Sequence, residues 1–199
     1  MSEHYYSRNP NIESNPQHFK FQLRGYQFQF KTDQGVFSKN EVDFGSRVLI
    51  ESFEAPKVDG PILDVGCGYG PIGLSIAKSN PERNVHMVDV NGRALLLSRD
   101  NAVSNQVANV TVYESDALEG VQEKNFAAIL TNPPIRAGKD VVHAILSKSY
   151  EHLAEKGELW VVIQKKQGAP SAMKKLEEVF HNVEVVLKKK GYYILKSVK

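Results

Sequence analysis

Four short stretches of the chain combine residue types and spacings that could do chemistry. The first is Asp64-Val65-Gly66-Cys67-Gly68-Tyr69-Gly70-Pro71-Ile72-Gly73. It lies where a short apolar run, PILDV, gives way to a helix-like run, PIGLSIAKS. Glycines at such a junction let a ligand approach the backbone and allow positive φ. In open parallel sheets, ligands bind at the carboxyl ends of the strands. A tight turn alone explains one glycine, whereas Gly66, Gly68 and Gly70 at alternate positions point to a ligand. A dinucleotide fold would show G-x-G-x-x-G, to seat a pyrophosphate on the helix N-terminus. Its third glycine would fall on Pro71, which disfavours a nicotinamide dehydrogenase. Asp64 is badly placed for a pyrophosphate and well placed for a cation. The expected ligand carries a positive amino group and no phosphate.

The second stretch is Met87-Val88-Asp89-Val90-Asn91, with Asp89 lying 23 residues beyond Gly66. An acid at the end of the next strand can chelate the two hydroxyls of a ribose. It can equally be the N-cap of the next helix. The third is Glu114-Ser115-Asp116-Ala117, where Asp116 could accept from the exocyclic amine of an adenine. Three acids at successive strand ends around one glycine loop describe a pocket for amine, ribose and adenine.

The fourth stretch is Thr131-Asn132-Pro133-Pro134-Ile135. Proline lacks an N–H and fixes φ, so the carbonyls here are rigidly aimed. Asn132 Oδ1 and the Pro133 carbonyl could accept both hydrogens of one planar NH2 group. That draws the nitrogen toward pyramidal geometry and frees its lone pair for an electrophile. Amides and nucleobase amines need such help, because their lone pairs are delocalised.

The elements that must position these residues follow from periodicity. Phe19, Phe21 and Leu23, then Tyr26, Phe28 and Phe30, alternate with polar residues around Arg24-Gly25, so a β-hairpin is expected over 19–34. Residues 41–54 read as a helix with Val42, Val48, Leu49 and Phe53 as its apolar stripe. From residue 61, buried strands alternate with amphipathic helices. The longest of these helices is expected over 139–157, with Gly157 as C-cap. Two strands joined by a short turn close the chain. This is α/β with a mostly parallel sheet ending in an antiparallel pair. The expected organisation is a loose polar arm over 1–18 and one domain over 19–199, with its catalytic core over 35–199.

Composition bounds the function. The 199 residues suffice for one core without staples, and 41% hydrophobic with 24% charged residues argues against disorder and coiled coil. No apolar run is long enough to cross a bilayer. The start, MSEHYYSRNPNIES, has no secretory apolar region. One cysteine excludes an intrachain disulfide and fits a cytoplasmic location. Cys67 has no adjacent base and reads as a small packing residue within the loop. Tyr192 and Tyr193 read as strand residues with ordinary packing. The six histidines are scattered, so no metal is expected. A net charge of +2 is too mild to announce nucleic-acid binding. Residues 139–199, however, hold twelve lysines and no arginine against seven acids. That is either a solvated face or a surface for phosphates.

Taken together, residues 35–199 resemble a class I S-adenosylmethionine-dependent methyltransferase. DVGCGYG resembles the cofactor loop, VDVN the ribose segment, SDA the adenine segment and NPP the amino-methylating motif. The resemblance implies a Rossmann-like fold, a seven-stranded sheet with an antiparallel last strand. A narrower resemblance lies in Gly35-Val36-Phe37-Ser38 and Asp43-Phe44-Gly45-Ser46. These are similar to the GVFS and D-x-GS segments of bacterial ribosomal small-subunit RNA guanine-N2 methyltransferases, matched over the catalytic half alone. The resemblance implies S-adenosylmethionine as cofactor, held by Phe37, Ser38, Asp64, Gly66, Cys67, Gly68, Gly70, Asp89, Val90, Asp116, Ala117 and Asn132. It implies catalysis by Asn132, Pro133 and Pro134, with Phe37, Ile135 and Arg136 toward the substrate. The expected partner is RNA, ribosomal RNA or the small subunit, with no membrane. Ile135 departs from the aromatic residue usual at the end of the motif. A protein glutamine N-methyltransferase and a non-catalytic cofactor- or RNA-binding module remain alternatives.

Overall fold

The computed structural model describes residues 13–199. Of the arm expected over 1–18, residues 1–12 lie outside the described residues. The hairpin begins two residues earlier than expected, with β1 (Gln17–Leu23) and β2 (Tyr26–Thr32) pairing Gln17 with Thr32. Arg24 and Gly25 both take positive φ, the two-residue turn whose twist suits a hairpin. An unpaired strand edge invites association, and here it is covered. Asn105 and Asn101 bond both the N–H and the C=O of Gln29 and Lys31 at 2.8–2.9 Å, acting as a mock strand.

The remaining elements are α1 (Phe44–Ser52), β3 (Ile62–Val65), α2 (Pro71–Ser79), β4 (Val85–Asp89), α3 (Gly92–Ser104), β5 (Val110–Glu114) and β6 (Phe126–Thr131). They are followed by α4 (Lys139–His152), β7 (Leu153–Gln164), α5 (Ala169–Phe180), β8 (Glu184–Lys189) and β9 (Tyr192–Val198). The seven-stranded sheet has the order β5-β4-β3-β6-β7-β9-β8. Neighbours from β5 to β7 pair in parallel, and β9 is antiparallel to both β7 and β8. The expected α/β architecture is therefore present, with β9 as the one reversed strand.

Alternation along the central strands divides the core. Ile62 packs on the side of α1, α2, α3 and the hairpin, while Leu63 and Val65 pack on the side of α4 and α5. The strand order reverses between β3 and β6. Their carboxyl ends are tied by the Thr131 hydroxyl, which donates to the Val65 carbonyl at 2.9 Å. This switch point is where such sheets bind ligands.

The helix expected over 41–54 is shorter, Phe44–Ser52, with Val42 and Phe53 buried just outside it, and the largest departure from expectation follows α4. The helix expected to reach Gly157 stops at His152, and β7 starts at Leu153. Leu153 is buried and extended and pairs with Phe126 at an irregular point of the β6–β7 ladder. A Cβ on Gly157 would lie 2.8 Å from the carbonyl oxygens of Ala154 and Phe126. Glycine is needed there for close backbone packing, not as a helix cap. The AEK residues before it form an irregular stretch of β7, with Lys156 at φ +61° and its N–H donating to the Lys199 carbonyl at 3.0 Å.

Candidate functional site

Four strand ends converge at the switch point on a cavity of about 500 Å³, within the range of small-molecule sites. After β3, Gly66 and Gly68 take φ of +77° and +57°. A Cβ on either would meet nothing within 4 Å. The loop thus leaves open space where side chains would stand. α2 begins with Pro71 in its first turn, where a missing N–H costs nothing. The segment 36–38 and the start of α1 close the same cavity from the hairpin side.

Of the residues expected at the site, Phe37, Ser38, Gly66, Cys67, Gly68, Asp89, Val90, Asp116 and Ala117 line the cavity. So do Asn132, Pro133, Pro134, Ile135 and Arg136. Asp64 and Gly70 do not; they lie behind the loop. Asp64 is buried, and its Oδ2 accepts from the Gly73 N–H at 2.8 Å, clamping the loop to α2. Its Oδ1 is buried with no hydrogen-bond partner among the described residues. Burial pushes its carboxyl up to about 7, opposed by the Gly73 N–H and reinforced by the charge of Asp89. A buried carboxylate oxygen without a donor suits a cationic or protonated partner.

Asp89 caps the loop from the next strand. Its Oδ2 accepts from the Gly68 N–H at 2.8 Å and its Oδ1 from the Asn91 N–H at 2.9 Å. Burial raises its carboxyl above the usual range, and these N–H groups oppose the rise. Asp89 is not the N-cap of α3. That role falls to Asn91, whose Oδ1 accepts from Arg93 N and Ala94 N. The strand-end acid is therefore left to face the cavity. Ala117 adopts a left-handed φ of +49°, held by the Ser115 hydroxyl donating to its carbonyl at 2.7 Å.

Asn132 is anchored from far away in sequence. Its Nδ2 donates to Asp43 Oδ2 at 3.1 Å and to Ser46 Oγ at 3.0 Å. A carboxylate only accepts, so the amide nitrogen belongs on that side. The carbonyl oxygen is thereby turned away and left as an acceptor. Asp43 also caps α1, accepting from the Ser46 N–H at 2.9 Å. Asp43 and Ser46 belong to the D-x-GS segment, but nothing in the sequence assigned them this task. Tyr192 was expected to pack ordinarily; instead it lines the cavity, while Tyr193 packs in the α4–α5 core. Gln164 lies opposite Tyr192 in the β7–β9 ladder and lines the cavity too.

Cys67 lines the loop but is buried, and its Sγ lies 3.7 Å from the Ser98 hydroxyl. Burial holds its thiol well above the usual value. That environment suits packing, not nucleophilic attack.

A family model for the methyltransferase small domain matches residues 27–196. The chain belongs to the methyltransferase small-domain family. A relative in Bacillus subtilis, described as "uncharacterized protein YbxB", is 63% identical over the whole of both chains. Ribosomal RNA small subunit methyltransferase C of Vibrio cholerae is 31% identical over 88% of this chain and 51% of its own length. Among solved structures, the Thermus thermophilus 16S rRNA N2 G1207 methyltransferase in complex with AdoMet and guanosine superposes with a TM-score of 0.82. It is 27% identical, covering 96% of this chain and 52% of that one. A Pyrococcus furiosus methyltransferase shares the fold, with a TM-score of 0.65 at 19% identity over 76% of this chain and 79% of that one. The chain thus spans about half the length of the ribosomal RNA methyltransferases it matches. No helix among the described residues is long and apolar enough to cross a membrane.

Proposed function

We propose that this protein is an S-adenosylmethionine-dependent N-methyltransferase acting on the guanine N2 amine of small-subunit ribosomal RNA. The tethering of Asn132 carries the reading. An asparagine whose nitrogen is tied back presents one oriented carbonyl oxygen to the cavity wall, beside the rigid Pro133 and Pro134. The relatives and the structure bound to AdoMet and guanosine support the cofactor and the target.

The residues present fit that cofactor. Gly66 and Gly68 leave room for it against the backbone, Asp64 offers an unpartnered buried oxygen behind the loop, and Asp89 and Asp116 stand at the next two strand ends. S-adenosylmethionine, when bound, supplies an electrophilic methyl group on a sulfonium. The chain's own residues do the rest by positioning and electrostatics. Asn132 Oδ1 and the Pro133 carbonyl accept the two hydrogens of the target amine and draw its lone pair out of conjugation. The amine nitrogen would take the methyl group as the methyl–sulfur bond breaks and leaves a neutral thioether, and the methylated amine would then release one proton to water. Phe37 is 42% exposed at the cavity rim and offers the aromatic face that Ile135 lacks. A target base unstacked from its strand can enter between them.

Asp89→Ala is expected to weaken cofactor binding by roughly tenfold or more, the worth of a lost hydrogen bond to a charged group. The chain stays folded by circular dichroism. Calorimetry giving an unchanged affinity would remove Asp89 from the ribose role.

The decisive experiment follows transfer of labelled methyl from S-adenosylmethionine to small ribosomal subunits from cells lacking this protein. Digestion of the RNA is expected to return the label as N2-methylguanosine. Label in protein instead would replace this reading with a glutamine methyltransferase. Cofactor binding without any transfer would replace it with a non-catalytic module.

A further inference from the structure

The Phe44 ring, at the start of α1, seats two cations. Arg47 Cζ and Lys190 Nζ each lie 5.2 Å from its centroid, and Arg47 is also 5.4 Å from the Phe21 ring. Among the described residues, neither cation has a carboxylate within ion-pair distance. Arg47 Nε is buried and has no hydrogen-bond partner there. The ring attracts each cation, yet the two repel one another. A bound anion beside them would offset that repulsion. A guanidinium also carries a planar fork of donors that suits recognition of phosphate.

More cations continue from this pair. The β8–β9 turn carries Lys188, Lys189 and Lys190, and the Lys165 N–H donates to the Gly191 carbonyl at 2.8 Å, bringing Lys165 and Lys166 alongside. All five lysines are exposed, and none forms an ion pair among the described residues. Phe44 in turn lies 5.6 Å from the ring of Tyr192 in the cavity wall. The cations therefore lead from the cavity mouth outward across the ends of β7, β9 and β8. The other end of the same sheet edge is acidic, with Glu114, Asp116 and Glu119 exposed at and just beyond the end of β5. The edge is polarised, and a polyanion is steered to one end of it.

We propose that Arg47 and Lys190, seated on Phe44, form a phosphate site that opens a track over Lys188, Lys189, Lys165 and Lys166. The track takes the RNA strand that carries the target base, and its direction is from the cavity outward across β8. This rests on the RNA methyltransferase reading above. It adds which side of the cavity the strand lies on and which residues grip it.

The test is fluorescence anisotropy with a labelled RNA stem-loop over a salt series. The Lys188→Gln, Lys189→Gln, Lys190→Gln triple variant alters only exposed side chains and is expected to fold and to bind cofactor normally. Its RNA affinity at low salt is expected to fall at least tenfold. Its slope of log affinity against log salt should shrink by about 2, at roughly 0.7 per single-strand phosphate contact. Arg47→Gln should also weaken RNA binding, with a slope smaller by about 0.7, and a melting curve verifies folding. Lys57→Gln with Lys156→Gln, toward the opposite end of the strands, should leave both quantities unchanged. An unchanged slope in the triple variant, or an equal loss in the distal pair, overturns the track while leaving the RNA reading standing. A wild-type chain that binds cofactor but no RNA overturns the RNA reading itself and the track with it.

Discussion

Asn132→Ala is expected to reduce methyl transfer by about 10²–10³-fold, the usual loss when one preorganised polar group at a reacting centre is removed. Cofactor affinity should change by no more than a few-fold, because the glycine loop and Asp89 do not depend on this side chain. The partners of Asn132 sharpen the test. Ser46→Ala removes one of the two acceptors of Nδ2 and leaves the backbone cap of α1 intact, since the Ser46 N–H still donates to Asp43. It should lower kcat by roughly tenfold, the worth of about one hydrogen bond, with little change in melting temperature. Asp43→Ala removes the other acceptor and the helix cap together. It should cost about 1 kcal/mol of stability as well as turnover. Asp43→Asn should recover much of both, because one amide oxygen can accept from Ser46 N and Asn132 Nδ2 as Asp43 Oδ2 does. If Ser46→Ala and Asp43→Ala lose stability alone and keep kcat, the tether does not orient Asn132 for catalysis.

The residues legible in the sequence and those that were not differ in how far apart their partners lie. The glycine loop, the strand-end acids and the NPP turn each carry their meaning within a few residues, because a strand-to-loop junction is a local event. The parallel sheet was legible for the same reason, as apolar strands alternate with helices along the chain. The tether of Asn132 is different. Its acceptors stand 86 and 89 residues upstream and meet it only because α1 packs against the sheet near the end of β6. Tyr192 likewise reaches the cavity through the antiparallel β7–β9 register, which places it opposite Gln164. The end of α4 differs from expectation for a related reason: Leu153 pairs with Phe126 of β6, and Lys156 and Gly157 bond to the distant Lys199, contacts invisible locally. Asp64 is expected among the site residues from the sequence, but its burial behind the loop follows from the packing of α2 and cannot be read from spacing.

Asp64 supplies the second prediction, in which stability and ligand binding oppose each other. Its folded carboxyl titrates near 7 instead of 3.8, because burial disfavours the charged form. A raised folded value means that the native state holds this proton more tightly than the unfolded chain. The contribution is fully present below the unfolded value and is lost as pH rises through the folded value. In the ligand-free protein it is worth up to about 4 kcal/mol, lost between roughly pH 4 and pH 7. Asp64→Asn keeps an acceptor for the Gly73 N–H and removes the buried charge. The ligand-free variant is therefore expected to melt several degrees above wild type at pH 8, with the gap narrowing as pH falls and closing only near pH 4. Binding should go the other way. A cationic amino group favours the ionised carboxylate, so wild type is expected to gain cofactor affinity as pH rises through 7. It should also release a proton on binding when measured below that pH. The Asn variant should bind at least tenfold more weakly at pH 8 and release no proton there or at pH 6. Calorimetry in two buffers of different ionisation enthalpy measures the proton directly. Equal affinity and an equal pH profile in the two proteins would reduce Asp64 to a clamp between the loop and α2. The expected pattern would instead make it a buried charge that the empty fold tolerates poorly and the ligand neutralises.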